Sequence, residues 1–172
     1  MGSNWDNSGL KAPGPTIKFM AREDMAALYD QDFFEWTQRT GDLLRHGCVQ
    51  QADLEHVAEE IEDLGKRDRR EIDNRLVVLL VHLLKWSLQP GRRYTESGSS
   101  TWLASIREQR RQLTKLFQQS PSLKRYGAEA MVEAYRAAVK QASAETGIPI
   151  AQFPAEYPFH FDQVLEDEFL PE

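Results

Sequence analysis

Between Arg75 and Trp86 the chain reads Leu-Val-Val-Leu-Leu-Val-His-Leu-Leu-Lys, an apolar run interrupted only by His82 and Lys85. A helix that is apolar on most of its faces is either the centre of a globular core or a membrane span. This run is too short, and too closely flanked by charge, to cross a bilayer. It predicts an all-α fold: a single-domain bundle of four to five helices around a central helix at 68–88, with a Pro-rich C-terminal arm packed over it. The helical domain is expected over 23–172, after a lead-in over 1–22 rich in Gly, Pro, Ser and Asn and read as flexible.

The 172 residues are enough for one real core. A hydrophobic content of 41% with 28% charged residues is ordinary for a soluble protein. The first twenty residues lack a basic start followed by an apolar stretch, so the expected location is cytoplasmic. Cys48 is the single cysteine and forms no intramolecular disulfide. A net charge of −6 argues against gripping nucleic acid by bulk electrostatics. That total hides blocks. Asp53, Glu55, Glu59, Glu60, Glu62 and Asp63 are followed by Lys66, Arg67, Arg69 and Arg70, then by Arg92 and Arg93, then by Arg107, Arg110, Arg111 and Lys115. Such blocks read as pairing between helices or as a basic groove for an anionic partner.

Punctuation sets the remaining elements. Helical signal begins near Asp24 and is firm from Asp30 to Arg45, with Gly47 as the residue just past the end. Asp53 caps a second helix with the apolar stripe Leu54, Val57, Ala58, Ile61 and Leu64. Gly65 ends that helix or is tolerated within a kinked one reaching about Leu88, where Pro90 and Gly91 stop it. After a polar loop, Ser99 or Ser100 caps a helix over 101–119 with Trp102, Leu103, Ile106, Leu113, Leu116 and Phe117 inward. Pro121 and Ser122 separate it from a helix reaching Thr146 and Gly147. A short helix near 161–166 completes the chain.

These residues carry a family resemblance. Leu28-Tyr29, Asp32-Phe33, Trp36, Glu59-Glu60-Ile61-Glu62, Leu64-Gly65, His82 to Trp86, Gln89-Pro90, Trp102, Ile106, Gln109-Arg110, Pro121-Ser122-Leu123, Thr146-Gly147, Phe153-Pro154 and Phe169-Leu170-Pro171 together resemble the domain of unknown function 29 family, a bacterial family common in cyanobacteria. The likeness covers roughly residues 27–172. It implies an all-helical single domain and no established activity. The loop between Pro90 and Trp102 is longer than the family's usual one.

Three sets of residues are candidates for chemistry. Arg75, His82 and Gln89 recur every seven residues on one stripe of the central helix, flanked by Lys85 and Trp86. The Arg75–His82 spacing sits at the edge of the arginine-x4–6-histidine motif of the higher eukaryotes and prokaryotes nucleotide-binding domain, whose members include ribonucleases. There the histidine moves protons and the arginine meets phosphate charge. A lone histidine in an apolar helix also reads as a hydrogen-bonded core residue. Second, Arg110 follows Trp102 and Ile106 at four-residue steps, which places it on the apolar side. A buried charge needs a partner, so a polar cluster of Glu60, His82 and Arg110 is expected. Third, His56, Glu59, Glu60 and Asp63 share a polar helix face and form a weak metal-site candidate, because no matching pair exists on another helix.

The expected function is a small non-catalytic binding or interaction module, acting on an unknown protein partner or by self-association, with no cofactor, no membrane and no nucleic acid. The rival expectation is a ribonuclease or nucleotide-modifying enzyme using Arg75 and His82, with Lys85 as a third candidate. A weaker one is a metal-binding helical bundle.

Overall fold

The computed structural model describes residues 21–93 and 99–172. The lead-in through residue 20 and most of the polar loop after Arg93 lie outside them. Six α-helices form, with three single 3₁₀ turns and no strand among the described residues. The helices are α1 (Arg22–Gln31), α2 (Phe33–Arg45), α3 (Leu54–Leu88), α4 (Ser99–Gln119), α5 (Leu123–Thr146) and α6 (Phe161–Leu165). The all-α architecture around α3 is as expected. The chain divides into two compact units, one ending at Ile61 and one beginning at Glu62.

The first unit holds α1, α2 and the start of α3. One helical stretch was expected before Gly47, and two are found. Asp32 leaves the helical region at φ −151°, ψ 85°, and its carboxylate Oδ1 accepts the Glu35 N–H at 3.0 Å. A side-chain cap of this kind begins a new helix. Gly47 stands past the end of α2 at φ 72°, the left-handed position that glycine fills without steric cost. The core of this unit is Met25, Trp36, Leu43 and Ala52, with Leu28, Tyr29, Cys48 and Val57 packed against it.

The expected apolar stripe at the start of α3 is corrected. Val57 joins the core, but Leu54 is 43% exposed, Ile61 64% and Leu64 54%. The sequence periodicity is real, yet so small a core is filled by one α3 residue. Gly65 neither ends nor visibly interrupts the helix: α3 runs through it for 35 residues, and no atom lies within 4 Å of where its Cβ would stand.

The second unit is built on the apolar half of α3. Ile72, Leu76, Leu79, Leu80, Leu83 and Leu84 are all fully buried. From α4 come Ile106, Leu113 and Phe117, and from α5 Met131, Ala134, Tyr135, Ala138 and Ala142. Trp86 and Trp102 are buried as expected. Pro90 opens the 3₁₀ turn that follows α3, and Gly147 closes α5 at φ 74°. Ser122 occupies the cap position of α5, but its side chain makes no capping bond. The arm after Gly147 contributes Phe153, Phe159 and Val164 to the same core. At Gly127 a Cβ would stand 3.0 Å from Phe117 and 3.1 Å from Phe161, so only glycine lets these rings close over α5.

Candidate functional site

Arg110 reaches the core of the second unit with only 1% of its surface exposed. Its partners are backbone carbonyls of the C-terminal arm. Nε donates to Val164 O at 2.8 Å, one terminal nitrogen to Asp167 O at 3.0 Å and the other to Phe169 O at 2.7 Å. Burial lowers its pKa, while Asp167, Glu166 and Glu168 favour the charged form. An arginine stays protonated in such a setting. Arg110 is thus a three-pronged clamp on the arm. Glu60, His82 and Arg110, expected to form one polar cluster, each have neighbours within their own unit. Glu60 accepts the Tyr29 hydroxyl at 2.7 Å, and His82 lies beside Lys85 and Glu145. No motif for the Arg110 contact exists to be read, because a carbonyl acceptor can be supplied by any residue type.

Lys85 makes an ion pair with Glu145 of α5, and Gln141 donates to the same carboxylate at 2.8 Å. His82 is half-buried, and its Nδ1 is enclosed without a hydrogen-bond partner. Burial, then the positive charge of Lys85, push its pKa below the ordinary 6.5. Arg75, two turns earlier on α3, has other partners. Its guanidinium donates twice to Glu71 Oε1, at 2.9 and 2.8 Å, and once to Gln109 Oε1 of α4 at 3.2 Å. Of the catalytic candidates, His82 and Lys85 are neighbours. Arg75 instead lines a separate open cleft of about 480 Å³ with Arg67, Arg70, Asn74, Val78 and Gln109.

In the first unit, His56 is the centre of an arrangement of another kind. Its Nδ1 is bonded to the carboxylate of Asp53, which is 3% exposed. The imidazole stacks on Tyr29 at 4.0 Å between ring centroids, and Tyr29 packs edge-on against Trp36 at 5.0 Å. His56 therefore holds α1 to the start of α3. Donation of a hydrogen bond to the Asp53 carboxylate, with added help from the charges of Asp53, Glu59 and Asp30, raises its pKa above 6.5. Of the weak metal candidates His56, Glu59, Glu60 and Asp63, His56, Glu60 and Asp63 have other partners. Asp63 pairs with Lys66 at 2.8 Å, and no group of three or more His, Cys, Asp and Glu side chains fit to hold a metal occurs among the described residues. Sequence reasoning gave Asp53 only a capping role and missed this pair, for which the three-residue step from Asp53 to His56 was the available signal.

The two histidines are expected to titrate on opposite sides of 6.5. His56 gains a partner, so it favours the folded state below its unfolded pKa, and that contribution is lost as pH rises through its folded value. His82 is held neutral, so folding must exclude a proton and stability falls as pH drops below about 6.5. NMR titration of the ring protons reads both at once, and two curves shifted the same way would contradict this assignment.

Along α5 of the second unit runs a groove. Two adjoining cavities of about 450 and about 440 Å³ share Tyr135, Arg136 and Ala155. One is closed by Tyr157, Pro158 and His160, the other by Val139, Lys140, Ile150 and Phe153. The Tyr135 hydroxyl donates to Pro154 O at 2.8 Å, and the Tyr135 and Tyr157 ring centroids are 6.3 Å apart, which fixes the arm at the floor of the groove. Val132, Ile150 and Tyr157 leave large apolar surfaces exposed there. Sequence reasoning missed this feature, because it is made by a coil segment folding back on a helix and has no spacing of its own.

No helix among the described residues is long and apolar enough to cross a membrane. No curated protein and no solved structure matches the chain. The model of one family, described as a domain of unknown function, DUF29, matches residues 28–170, and with most of its length covered the chain belongs to that family.

Proposed function

We propose that the protein is a non-catalytic binding module that holds an extended, acidic segment of a protein partner in the groove between α5 and the C-terminal arm. The observation that carries this reading is the pair of cavities joined through Tyr135, Arg136 and Ala155. Each has the size of a pocket for one or two large side chains. The apolar wall of Val139, Ile150, Phe153 and Pro154 suits a Leu or Phe anchor. Aromatic residues and arginine are the types enriched at such interfaces.

Charge selects the sign of the partner. Arg136 and Lys140 stand on the rim, against one lining carboxylate, Glu156. Arg136 pairs with Glu133 at 2.5 Å, with both side chains more than half exposed. An exposed pair is worth about 0–1 kcal/mol, so a partner carboxylate exchanges for Glu133 at little cost. Pro149, Pro154 and Pro158 stiffen the arm, and Arg110 anchors its far end. A groove whose walls are fixed before binding loses less entropy on binding.

The rival enzymatic reading draws support from one observation, the open cleft at Arg75. His82 sits with Lys85 and Glu145 instead.

The test uses the whole chain and a panel of ten-residue peptides in which Leu or Phe is flanked by Asp and Glu. Calorimetry is expected to show binding by members of the panel, weakened at least tenfold in the double variant Arg136→Glu, Lys140→Glu, since two rim charges together contribute about 1.4 kcal/mol. Thermal stability of that variant stays unchanged, because both residues are exposed. Absence of binding across the panel, or affinity indifferent to the double variant, overturns the proposal.

A further inference from the structure

We infer that the cleft between α3 and α4 lined by Arg67, Arg70, Asn74, Arg75 and Gln109 is a binding site for a small anion bearing two or more phosphoryl groups. It lies apart from the α5 groove and does not depend on the reading given to that groove. Arg67, Arg70 and Asn74 follow one another at three- and four-residue steps on α3, so they form one stripe. Arg75 comes next, Val78 gives the cleft a small apolar patch, and Gln109 faces them from α4.

The charges in this cleft do not balance. Three guanidinium groups line it against one carboxylate, Glu71. Glu71 is already engaged twice by Arg75, at 2.9 and 2.8 Å. Arg67 and Arg70 are exposed and make no ion pair among the described residues. Asp63, the acid whose pKa they help to lower, is itself bonded to Lys66 at 2.8 Å. Like charges three or four residues apart on a helix repel, and a bound anion relieves that repulsion. Arg69, next in sequence, turns away to lie over the Tyr126 ring at 5.2 Å.

Geometry favours a phosphoryl ligand over a single carboxylate. Arg75 is fixed by Glu71 and Gln109, so part of the site is set before binding. Gln109 accepts from Arg75 through Oε1, which leaves its amide N–H groups to donate, and Asn74 supplies a second neutral donor. Arginine forks bind phosphate oxygens two at a time. A lone carboxylate meeting exposed arginines gains little, whereas a polyanion meets several at once. The volume of about 480 Å³ exceeds what one phosphate fills and suits a diphosphate-bearing small molecule.

The experiment is calorimetry on the full chain in about 0.1 M salt, where long-range attraction between exposed charges is already screened. Pyrophosphate and ADP are the probes, and citrate is the carboxylate control. The expected result is one site for both probes, binding by citrate at least tenfold weaker, and at least a tenfold loss of pyrophosphate affinity in Arg67→Gln, Arg70→Gln. Arg125→Gln, which removes an exposed arginine beside Glu129 on α5, leaves affinity unchanged. Equal binding of citrate, binding that survives the Arg67 and Arg70 double variant, or no binding at millimolar probe each overturns the inference. A ten-residue acidic peptide added to the same sample reports separately on the α5 groove. If binding of ADP exceeds that of pyrophosphate and both are lost in the double variant, the site belongs to a nucleotide; if the two are equal, it belongs to the bare anion.

Discussion

Arg110→Ala is expected to lower the stability of the second unit by about 3–5 kcal/mol, the scale for removing one side of a buried charged contact. The change removes three hydrogen bonds at once and leaves the carbonyls of Val164, Asp167 and Phe169 facing a void. For a chain of this size each kcal/mol moves the midpoint by about 2–4 °C, so the melting temperature should fall by about 10 °C. Arg110→Lys keeps the charge but has one ammonium in place of a planar fork, so it cannot span three carbonyls and restores only a small part of the loss. Thermal and urea unfolding followed by circular dichroism measure the effect. Limited proteolysis should show new cleavage after Gly147 in both variants. A loss below about 1 kcal/mol, within the range of ordinary surface changes, would show that Phe153, Phe159 and Val164 hold the arm without the clamp.

Leu80→Ala should cost about 3–4 kcal/mol, within the range for truncating a buried leucine that neighbours cannot relax to fill. Leu80 is fully buried among helices that close on α3. Ile61→Ala on the same helix should cost under about 1 kcal/mol, since Ile61 is 64% exposed and little apolar area is at stake. The contrast tests where the core lies along α3. Equal losses at the two positions, read from urea midpoints at constant slope, would mean that the start of α3 is covered by something that the core residues described above do not provide.

These two positions also show what could be read from the chain. The run around Leu80 was legible because its apolar character is continuous and needs no knowledge of what surrounds it. The helix ends at Gly47, Pro90, Pro121 and Gly147 were legible because proline and glycine act through local backbone geometry. Leu54, Ile61 and Leu64 misled, because periodicity tells which residues share a face and not whether the fold has a surface to cover it. The break at Asp32 was hidden because an Asp inside a helix costs less than about 1 kcal/mol, too little for its presence alone to mark an end. Burial of Arg110 followed from its register with Trp102 and Ile106, but its acceptors are main-chain atoms. Glu145, the partner of Lys85, lies sixty residues away with nothing local to mark it. Of the candidate sites, the basic cleft was half visible as a charge block on α3, and Gln109 joined it only through the folding of α4 against α3. The α5 groove was invisible, since Tyr135 and Arg136 become a binding surface only when the arm returns over them.

The groove is the centre of the proposed function. Its most direct test is chemical-shift mapping of the isotope-labelled chain titrated with the tightest acidic peptide of the panel. Saturable shifts are expected at Val132, Tyr135, Arg136, Val139, Lys140 and the arm from Ile150 to His160, with Arg67, Arg70 and Gln109 unmoved. Shifts centred on α3 and α4 instead, or none at millimolar peptide, would place the binding surface elsewhere and overturn the proposed function.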